Sequence, residues 1–308
     1  MSRKISIASI SMAYELRKPR CRKDNYLYVE KCFQEMKSIR PDIVALPEVF
    51  ALVGLEGEKK SHPQDLEFLR QMAKKYRTWV IGSLYRKLNS HYYNSALIIN
   101  RDGQVLATYD KIHPTETEIK EGVIPGDCLQ KPIKTSWAMV GVQICFDANW
   151  QEDWTRLTEE GAEIIFFLSA FPGGSLLTSL ATLNHVFIVP STWSLDSGII
   201  DNTGRFLVKT DRFQWWVCAT IDLDRTVYHW DYQGHVLSEI RKQYGRKITI
   251  ETFGPEGWFV LTPQSEEVEI SEVEKRFSLV RYRKYIQRAE ACQNLARKKH
   301  RNEKPGKK

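Results

Sequence analysis

The stretch VGVQICFDANW, residues 140–150, is the most informative about the fold, because an apolar strand pattern is followed directly by a cysteine, a reactive residue type. Its first five residues are mostly apolar and predict a strand that ends at Ile144. Cys145 follows at once, and the polar run FDAN comes next. A cysteine that ends an apolar strand is more often packed than reactive. Its role therefore depends on which other side chains the fold brings to it.

Strand and helix patterns alternate over most of the chain, with hairpins between them. Val29, Phe33 and Met36 recur at helical spacing and predict the first helix. This alternation predicts an α/β chain that contains a mixed sheet or two sheets. We predict one domain over residues 1–235 and a C-terminal extension over residues 236–308.

Two further strand ends carry a reactive side chain. Glu48 follows the apolar run DIVAL, and Lys111 follows the run VLATYD. Working residues in α/β proteins collect where strands end, because the loops there form a crevice. Taken singly, Glu48 and Lys111 fit solvated charges and Cys145 fits a packed thiol. Together they form a chemical set, since a thiol needs activation, a carboxylate can accept its proton and an ammonium can stabilise an oxyanion.

Three segments resemble the signature segments of the carbon–nitrogen hydrolase family, also called the nitrilase superfamily. They are LPEVF at 46–50, YDKIHPTETE at 109–118 and VGVQICFDANWQED at 140–153. The resemblance covers about residues 3–235, with the three segments in the family's order. It implies a four-layer α-β-β-α sandwich that forms a homodimer or a higher homo-oligomer and needs no metal or organic cofactor.

The same resemblance implies a role for each residue of the set. Glu48 is expected to be the general base, Lys111 to stabilise the tetrahedral intermediate and Cys145 to be the nucleophile. The backbone N–H of Phe146 is expected to complete the oxyanion hole with Lys111.

Many members of the family carry a second glutamate in the loop after the lysine, where it positions the lysine and the base. The spacing in this loop varies, so the sequence leaves three candidates open. Glu118 is our choice, and Glu116 and Glu121 are the alternatives.

The two residues after the cysteine bear on the substrate. Phe146-Asp147 resembles amidases and carbamoylases, whereas true nitrilases commonly have Trp-Glu there. We therefore expect hydrolysis of a non-peptide C–N bond in a small amide or N-carbamoyl compound, through a thioester, with release of ammonia or an amine. The residues expected to line the substrate pocket are Phe50, Asn149, Trp150, Ala170, Phe171 and Trp193.

Three departures from the family pattern leave the substrate open. Asn149 replaces a common arginine, Leu183 replaces a common glutamate, and the predicted loop Pro190–Trp193 replaces a common asparagine turn. Two other functions also stay open: an idle binding or scaffold protein of the same fold, and an acyltransferase that passes the thioester to an amine.

The positive net charge of +7 is a property of the C-terminus. Residues 275–308 hold 13 Lys or Arg and two Glu, so the rest of the chain is acidic. A long helix is predicted from Ser271, followed by disorder over residues 296–308. This pattern favours a solvated tail over a tether to nucleic acid or to an acidic membrane.

The chain shows no sign of export or membrane insertion. Its N-terminal residues lack an apolar core of signal-peptide length, and no apolar run is long enough to span a bilayer. The six cysteines are scattered without metal-type spacing. We therefore expect a cytoplasmic protein with reduced thiols and no membrane partner.

Overall fold

The computed structural model describes residues 3–13, 21–52 and 61–303, with side chains given as far as residue 300. The chain divides into two compact units, Ile5–Ile221 and a second that combines Met1–Lys4 with Asp222–Lys308. The division after residue 235 that the sequence favours would instead assign residues 222–235 to the larger unit.

Two six-stranded sheets form the centre of the larger unit. Their strands, in chain order, are β1 Lys4–Ile10, β2 Ile43–Ala45, β3 Trp79–Leu88, β4 His91–Ile99, β5 Val105–Asp110, β6 Ile133–Lys134, β7 Met139–Ile144, β8 Ile164–Ser169, β9 Phe187–Thr192, β10 Gly198–Ile200, β11 Phe206–Lys209 and β12 Trp216–Asp222. The first sheet has the order β12-β1-β2-β3-β4-β5 and the second β11-β10-β9-β8-β7-β6. The pairs β1–β2–β3 and β7–β8–β9 are parallel, so these strands end at a common edge of each sheet.

Helices cover one face of each sheet: α1 Arg22–Glu35 and α2 Pro63–Tyr76 on the first, and, numbered in chain order, α4 Gln151–Glu159 and α5 Gly174–Asn184 on the second. The short helix α3 Glu116–Lys120 lies in the loop after β5 and buries none of its residues. α1 and α2 pack on the first sheet around Ala8, Ile10 and Val44, and α4 and α5 pack on the second.

The opposite faces of the two sheets are buried against each other. Ile7 and Ile43 alternate with the helix-facing residues and are also fully buried. Across the interface, the Ser9 hydroxyl donates to the Pro190 carbonyl at 2.5 Å, and the Ser191 hydroxyl donates to the Ile10 carbonyl at 2.7 Å. The four-layer α-β-β-α sandwich is confirmed.

The region expected to form the loop Pro190–Trp193 differs from the prediction. β9 continues through Pro190 as far as Thr192, so only Trp193 follows the strand. The prediction ended the strand early because proline lacks the N–H that a sheet uses. The hydroxyl groups on β1 and β9 supply contacts between the sheets that hold this end of the strand in place.

The second unit is built on a small antiparallel sheet. Its elements are β13 Thr226–His229, α6 Leu237–Tyr244, β14 Ile248–Phe253, β15 Trp258–Pro263, α7 Ile270–Phe277 and α8 Tyr282–Glu303. The strand order is β13-β15-β14. A separate core that includes Tyr228, Ile240, Phe259 and Val273 packs α6 and α7 on this sheet.

The single long helix predicted from Ser271 is wrong. Two helices occupy this region, and the first ends at Phe277, where the next residue, Ser278, has a left-handed φ of 54°. The disorder predicted over residues 296–308 is also wrong as far as Glu303, because α8 is helical to that point. The remaining residues lie outside the described part of the chain.

Two further properties of the described residues concern the whole chain. All six cysteines are described and all are free thiols. Within the described ranges, no helix has the length and apolar character needed to cross a membrane.

Candidate active site

Glu48, Lys111 and Cys145 lie where strands of the two sheets end. Glu48 comes three residues after β2, Lys111 directly after β5 and Cys145 directly after β7. The Lys111 Nζ lies 2.8 Å from Glu48 Oε1 and 2.7 Å from Glu118 Oε2. Only 1% of the Lys111 side chain is exposed, so these ion pairs are shielded from water.

Lys111 and Glu118 keep their charges because they face each other. Burial alone would lower the pKa of the Lys111 ammonium, but Glu48 and Glu118 outweigh it and hold that pKa above its usual range. Burial alone would raise the pKa of the Glu118 carboxyl, but Lys111 outweighs it and holds that pKa below its usual range. The site therefore carries a fixed ammonium at its centre.

α3 places Glu118 beside the lysine. The Thr115 hydroxyl accepts a hydrogen bond from the Glu118 backbone N–H at 3.2 Å, and Glu118 Oε2 accepts one from the Thr115 N–H at 2.8 Å. This reciprocal capping box fixes the side chain in the direction of Lys111. Of the three candidate glutamates, Glu118 forms the ion pair, whereas Glu116 is exposed and faces Lys120.

Asn94 on β4 joins the two carboxylates and was missed in the sequence. Its Nδ2 donates to Glu48 Oε1 at 2.8 Å and to Glu118 Oε1 at 3.1 Å. The Ser83 hydroxyl donates to Asn94 Oδ1 at 2.8 Å and so fixes the orientation of the amide. The available signal was a polar residue within the mostly apolar part of each strand, Ser83 in β3 and Asn94 in β4.

Two residues that directly follow strands of the second sheet contact Glu48. The Ala170 backbone N–H donates to Glu48 Oε2 at 3.1 Å. The Trp193 Nε1 donates to the Glu48 backbone carbonyl at 2.6 Å. Both residues were expected to line the substrate pocket, and both lie at this site. Glu48 is therefore held by groups from both sheets.

Cys145 is half-buried and begins the 3-10 helix Cys145–Asn149 with a left-handed φ of 50°. Burial, and then the charge of Glu48, raise the pKa of its thiol to about 12. Lys111, the Ala170 N–H and the Ser169 hydroxyl act in the opposite direction without outweighing them. The thiol is therefore neutral near pH 7, and it needs a base before it can attack.

Asp147 holds the turn that carries the cysteine. It is fully buried and accepts hydrogen bonds from the Ile144 N–H, the His113 N–H and the Tyr109 hydroxyl at 2.8, 2.8 and 2.9 Å. Burial raises the pKa of its carboxyl to about 6, although the three donors oppose this. These bonds tie the end of β7 to the lysine loop.

Phe50 was expected in the pocket wall, but it lies in the core. It is 0% exposed, and its ring packs 6.2 Å from Tyr26 and 5.9 Å from Phe68 between α1 and α2. The reason is local: the chain turns after Glu48 into a short 3-10 helix that directs this side chain toward the helices.

The remaining predicted residues lie on the turn after Cys145 and beside β8. Trp150 stacks on His113 with ring centroids 3.7 Å apart and meets Phe146 edge-on at 5.3 Å. Asn149 is exposed, and its amide donates to the Phe146 carbonyl at 2.9 Å. Phe171 is half-buried and packs edge-on against Phe167 of β8.

Acidic groups at the site are engaged by protein donors. Glu48, Glu118 and Asp147 each accept at least three hydrogen bonds or ion-pair contacts. Across the described ranges, no group of three or more His, Cys, Asp or Glu side chains is arranged to hold a metal ion. The arrangement combines a neutral thiol, a carboxylate and an ammonium at one place.

Comparison with known sequences gives a consistent set of relatives. A family model described as carbon–nitrogen hydrolase matches residues 6–228. The chain is 28% identical over 170 residues to deaminated glutathione amidase from Bos taurus, covering 49% of this chain and 52% of that protein. It is 28% identical over 185 residues to N-carbamoylputrescine amidase from Oryza sativa, covering 54% and 58%. The chain thus spans little more than half of these curated relatives.

Solved structures show a similar fold. A carbon–nitrogen hydrolase from Helicobacter pylori aligns with a TM-score of 0.62 at 20% identity, covering 79% of this chain and 93% of that one. An amidase from Nesterenkonia sp. aligns with a TM-score of 0.63 at 17% identity, covering 78% and 96%. At these identities the likeness concerns the fold alone.

Proposed function

The chain belongs to the carbon–nitrogen hydrolase family, and from this premise we propose that it hydrolyses a small amide or N-carbamoyl compound through a thioester on Cys145. The observation that carries the proposal is the buried contact of Lys111 with Glu48 and Glu118 at 2.8 and 2.7 Å, beside a thiol whose pKa responds to both Glu48 and Lys111. Charged side chains that serve only as solvated surface groups would not be buried in contact with one another.

The first half of the reaction transfers the acyl group to sulfur. Glu48 takes the thiol proton while Cys145 attacks the carbonyl carbon, because the neutral thiol is a weak nucleophile. Lys111 and the Phe146 backbone N–H stabilise the oxyanion that forms. Glu48 then returns its proton to the nitrogen, the C–N bond breaks and an amine or ammonia leaves.

The second half releases the acid. Glu48 removes a proton from water, and the hydroxide attacks the thioester carbon while the same donors hold the oxyanion. The C–S bond breaks and the thiol regains its proton. Glu118 and Asn94 do not react in this scheme. They hold Glu48 and Lys111 in position for both halves.

The substrate class rests on the residues after the nucleophile and on the relatives. Phe146-Asp147 follows Cys145 as in amidases and carbamoylases, and Asp147 is built into the turn by three hydrogen bonds. Two matched relatives are named as amidases, one for deaminated glutathione and one for N-carbamoylputrescine. A nitrile substrate is disfavoured. Homodimer formation and a cytoplasmic location belong to the same proposal.

An ammonia-release screen tests the proposal. Amides, N-carbamoyl amines and nitriles are offered to the wild-type protein and to Cys145→Ala. We expect release from at least one amide or carbamoyl compound, and none from the variant. Electrospray mass spectra of the quenched wild-type protein should show an acyl adduct on the Cys145 peptide. No turnover of any compound would favour a binding protein, and turnover by Cys145→Ala would exclude the thioester.

A further inference from the structure

A cavity of about 580 Å³ lies in the larger unit, and none of the residues that line it belongs to the site described above. Its floor is apolar and buried, and includes Phe33, Met36 and Val44 from the core. Pro41 and Thr78 line it just before β2 and β3, so it opens near the start of these strands, whereas Glu48 follows the end of β2. The volume is in the range of small-molecule sites.

The rim of this cavity is cationic. Lys37, Arg40, Lys75, Arg77 and Arg101 line it, and all five are exposed. Lys75 pairs with Glu30 at 2.5 Å and Arg101 pairs with Asp42 at 2.6 Å. Among the described residues, the other three rim cations form no ion pair.

Helix ends account for only part of this charge. α2 ends at Tyr76, and the 3-10 helix that extends α1 ends at Ser38, so two C-termini lie beside the rim. Each C-terminus carries about −0.5 of an elementary charge. The three cations Lys37, Arg40 and Arg77 together carry a charge of +3, and the two C-termini together carry about −1. A net charge of about +2 therefore remains at the rim. The mouth of the cavity is therefore positive overall.

Two rim arginines occupy strained backbone positions. Arg40 has a φ of 53° and Arg77 a φ of 50°. Chain positions just beyond a helix that have left-handed backbone usually carry glycine or asparagine, because a Cβ is unfavourable there. Strain of this kind is a pointer to function. Arg40 and Arg77 both line the same cavity.

We propose that this cavity binds a small anion with an apolar body, a carboxylate or phosphate ester attached to an alkyl or aromatic group. Guanidinium groups bind both anions in a bidentate manner, and the floor accommodates the apolar part. The proposal stands on the larger unit's own geometry and does not depend on the proposed hydrolase activity.

The binding test uses 8-anilinonaphthalene-1-sulfonate, a fluorescent anion with an aromatic body. We expect saturable binding with one site per chain, competition by decanoate and phenyl phosphate, and none by the neutral analogues decanol and benzyl alcohol. Absence of saturable binding, or equal competition by the neutral compounds, would overturn the proposal.

Arg40→Gly and Arg77→Gly separate binding from structure. Glycine tolerates the left-handed backbone, so both variants should keep or raise the melting temperature, whereas a purely structural role for the arginines predicts a lower one. The double variant should bind the dye at least tenfold more weakly. Asn89→Gly, at a left-handed position on the β3–β4 turn, and Arg246→Ala, an exposed arginine elsewhere, should leave binding unchanged. Binding by the double variant within twofold of wild type would contradict the assignment.

Discussion

The negative charge of Glu48 has two opposite effects on the ionisation of the Cys145 thiol. As an anion it raises the pKa of the thiol, and as a base it is needed to remove the thiol proton. In Glu48→Gln the first effect disappears and Lys111 still favours the thiolate. We expect alkylation of Cys145 by iodoacetamide at pH 8 to become several-fold faster, while turnover falls by about 10² to 10⁴.

Peptide mass spectrometry can follow all six thiols in this experiment, and Glu116→Gln is the matched control because Glu116 is exposed. If alkylation of Cys145 slows in Glu48→Gln, the carboxylate does not raise the thiol pKa as inferred. If turnover is unchanged, Glu48 is not the base.

Asn94 is the residue that couples the two carboxylates. Asn94→Asp removes the donor at 2.8 Å from Glu48 and puts a like charge in its place. We expect kcat to fall at least tenfold with KM within about threefold, because the residue positions the base and does not bind the substrate. Steady-state kinetics with Asn100→Asp, a surface turn residue, is the control. A change confined to KM would assign Asn94 to substrate binding instead.

The pH dependence of stability reports on Asp147. Burial raises the pKa of its carboxyl from 3.8 to about 6, a difference of about two units or about 3 kcal/mol. The folded protein binds this proton more tightly than the unfolded chain does. The stability that it contributes is therefore present below pH 4 and is lost as the pH rises through 6.

Asp147→Asn removes this titration. The free energy of unfolding of the variant, measured by urea at each pH, should improve relative to wild type by up to about 3 kcal/mol between pH 4 and 7. The hydrogen bonds lost on substitution are the same at each pH, so they shift the difference without changing its slope. A pH-independent difference would show that the carboxyl titrates normally in the folded protein.

The reactive residues could be found in the sequence because each lies within three residues of the end of an apolar strand. Asn94 and Ser83 were missed, because a polar residue inside a strand is only a weak signal and the role of Asn94 depends on Glu48, far along the chain. The position of Phe50 was wrong for a related reason. The turn after Glu48 sets which way the next aromatic ring points, and no local pattern encodes that turn.

At the scale of elements, α3 is five residues long and orients Glu118. Thr115→Ala removes the hydroxyl that accepts the Glu118 N–H, which costs about 1 kcal/mol of stability. The loosened turn frees Glu118 from Lys111, so kcat should fall several-fold. Thr115→Ser retains the hydroxyl and should preserve both quantities. Thermal unfolding and kcat, measured on the same preparations, would contradict this if the alanine variant matched the serine variant.

Element boundaries show where sequence patterns stop being informative. β9 passes through Pro190 because hydrogen bonds between the sheets hold it, and these depend on residues of β1. The break at Ser278 depends on its left-handed backbone and on the Leu279 N–H, which donates to the Glu274 carbonyl. A serine in the sequence indicates neither the left-handed backbone nor this hydrogen bond. The pattern therefore predicted one continuous helix.

At the scale of the molecule, the C-terminal helix contains two different parts. Its first turn is docked, since Tyr282 meets Trp258 edge-on at 5.8 Å and Tyr285 stacks on His229 at 4.7 Å. Tyr285 also donates a hydrogen bond to Asp231. Every residue from 291 to 300 is exposed. The exposed part is rich in Lys and Arg, so it buries little apolar surface on the small sheet.

Two truncations separate these parts. A chain that ends at Glu290 should keep its melting temperature within about 1 °C and its turnover unchanged, because a solvated helical segment adds little to folding stability. A chain that ends at Arg281 loses the packing of two half-buried aromatic rings on β13 and β15, so its melting temperature should fall by several degrees. Differential scanning calorimetry distinguishes the two. Equal destabilisation by both truncations would mean that the exposed part is covered by a partner copy of the chain, and the melting temperature would then depend on protein concentration.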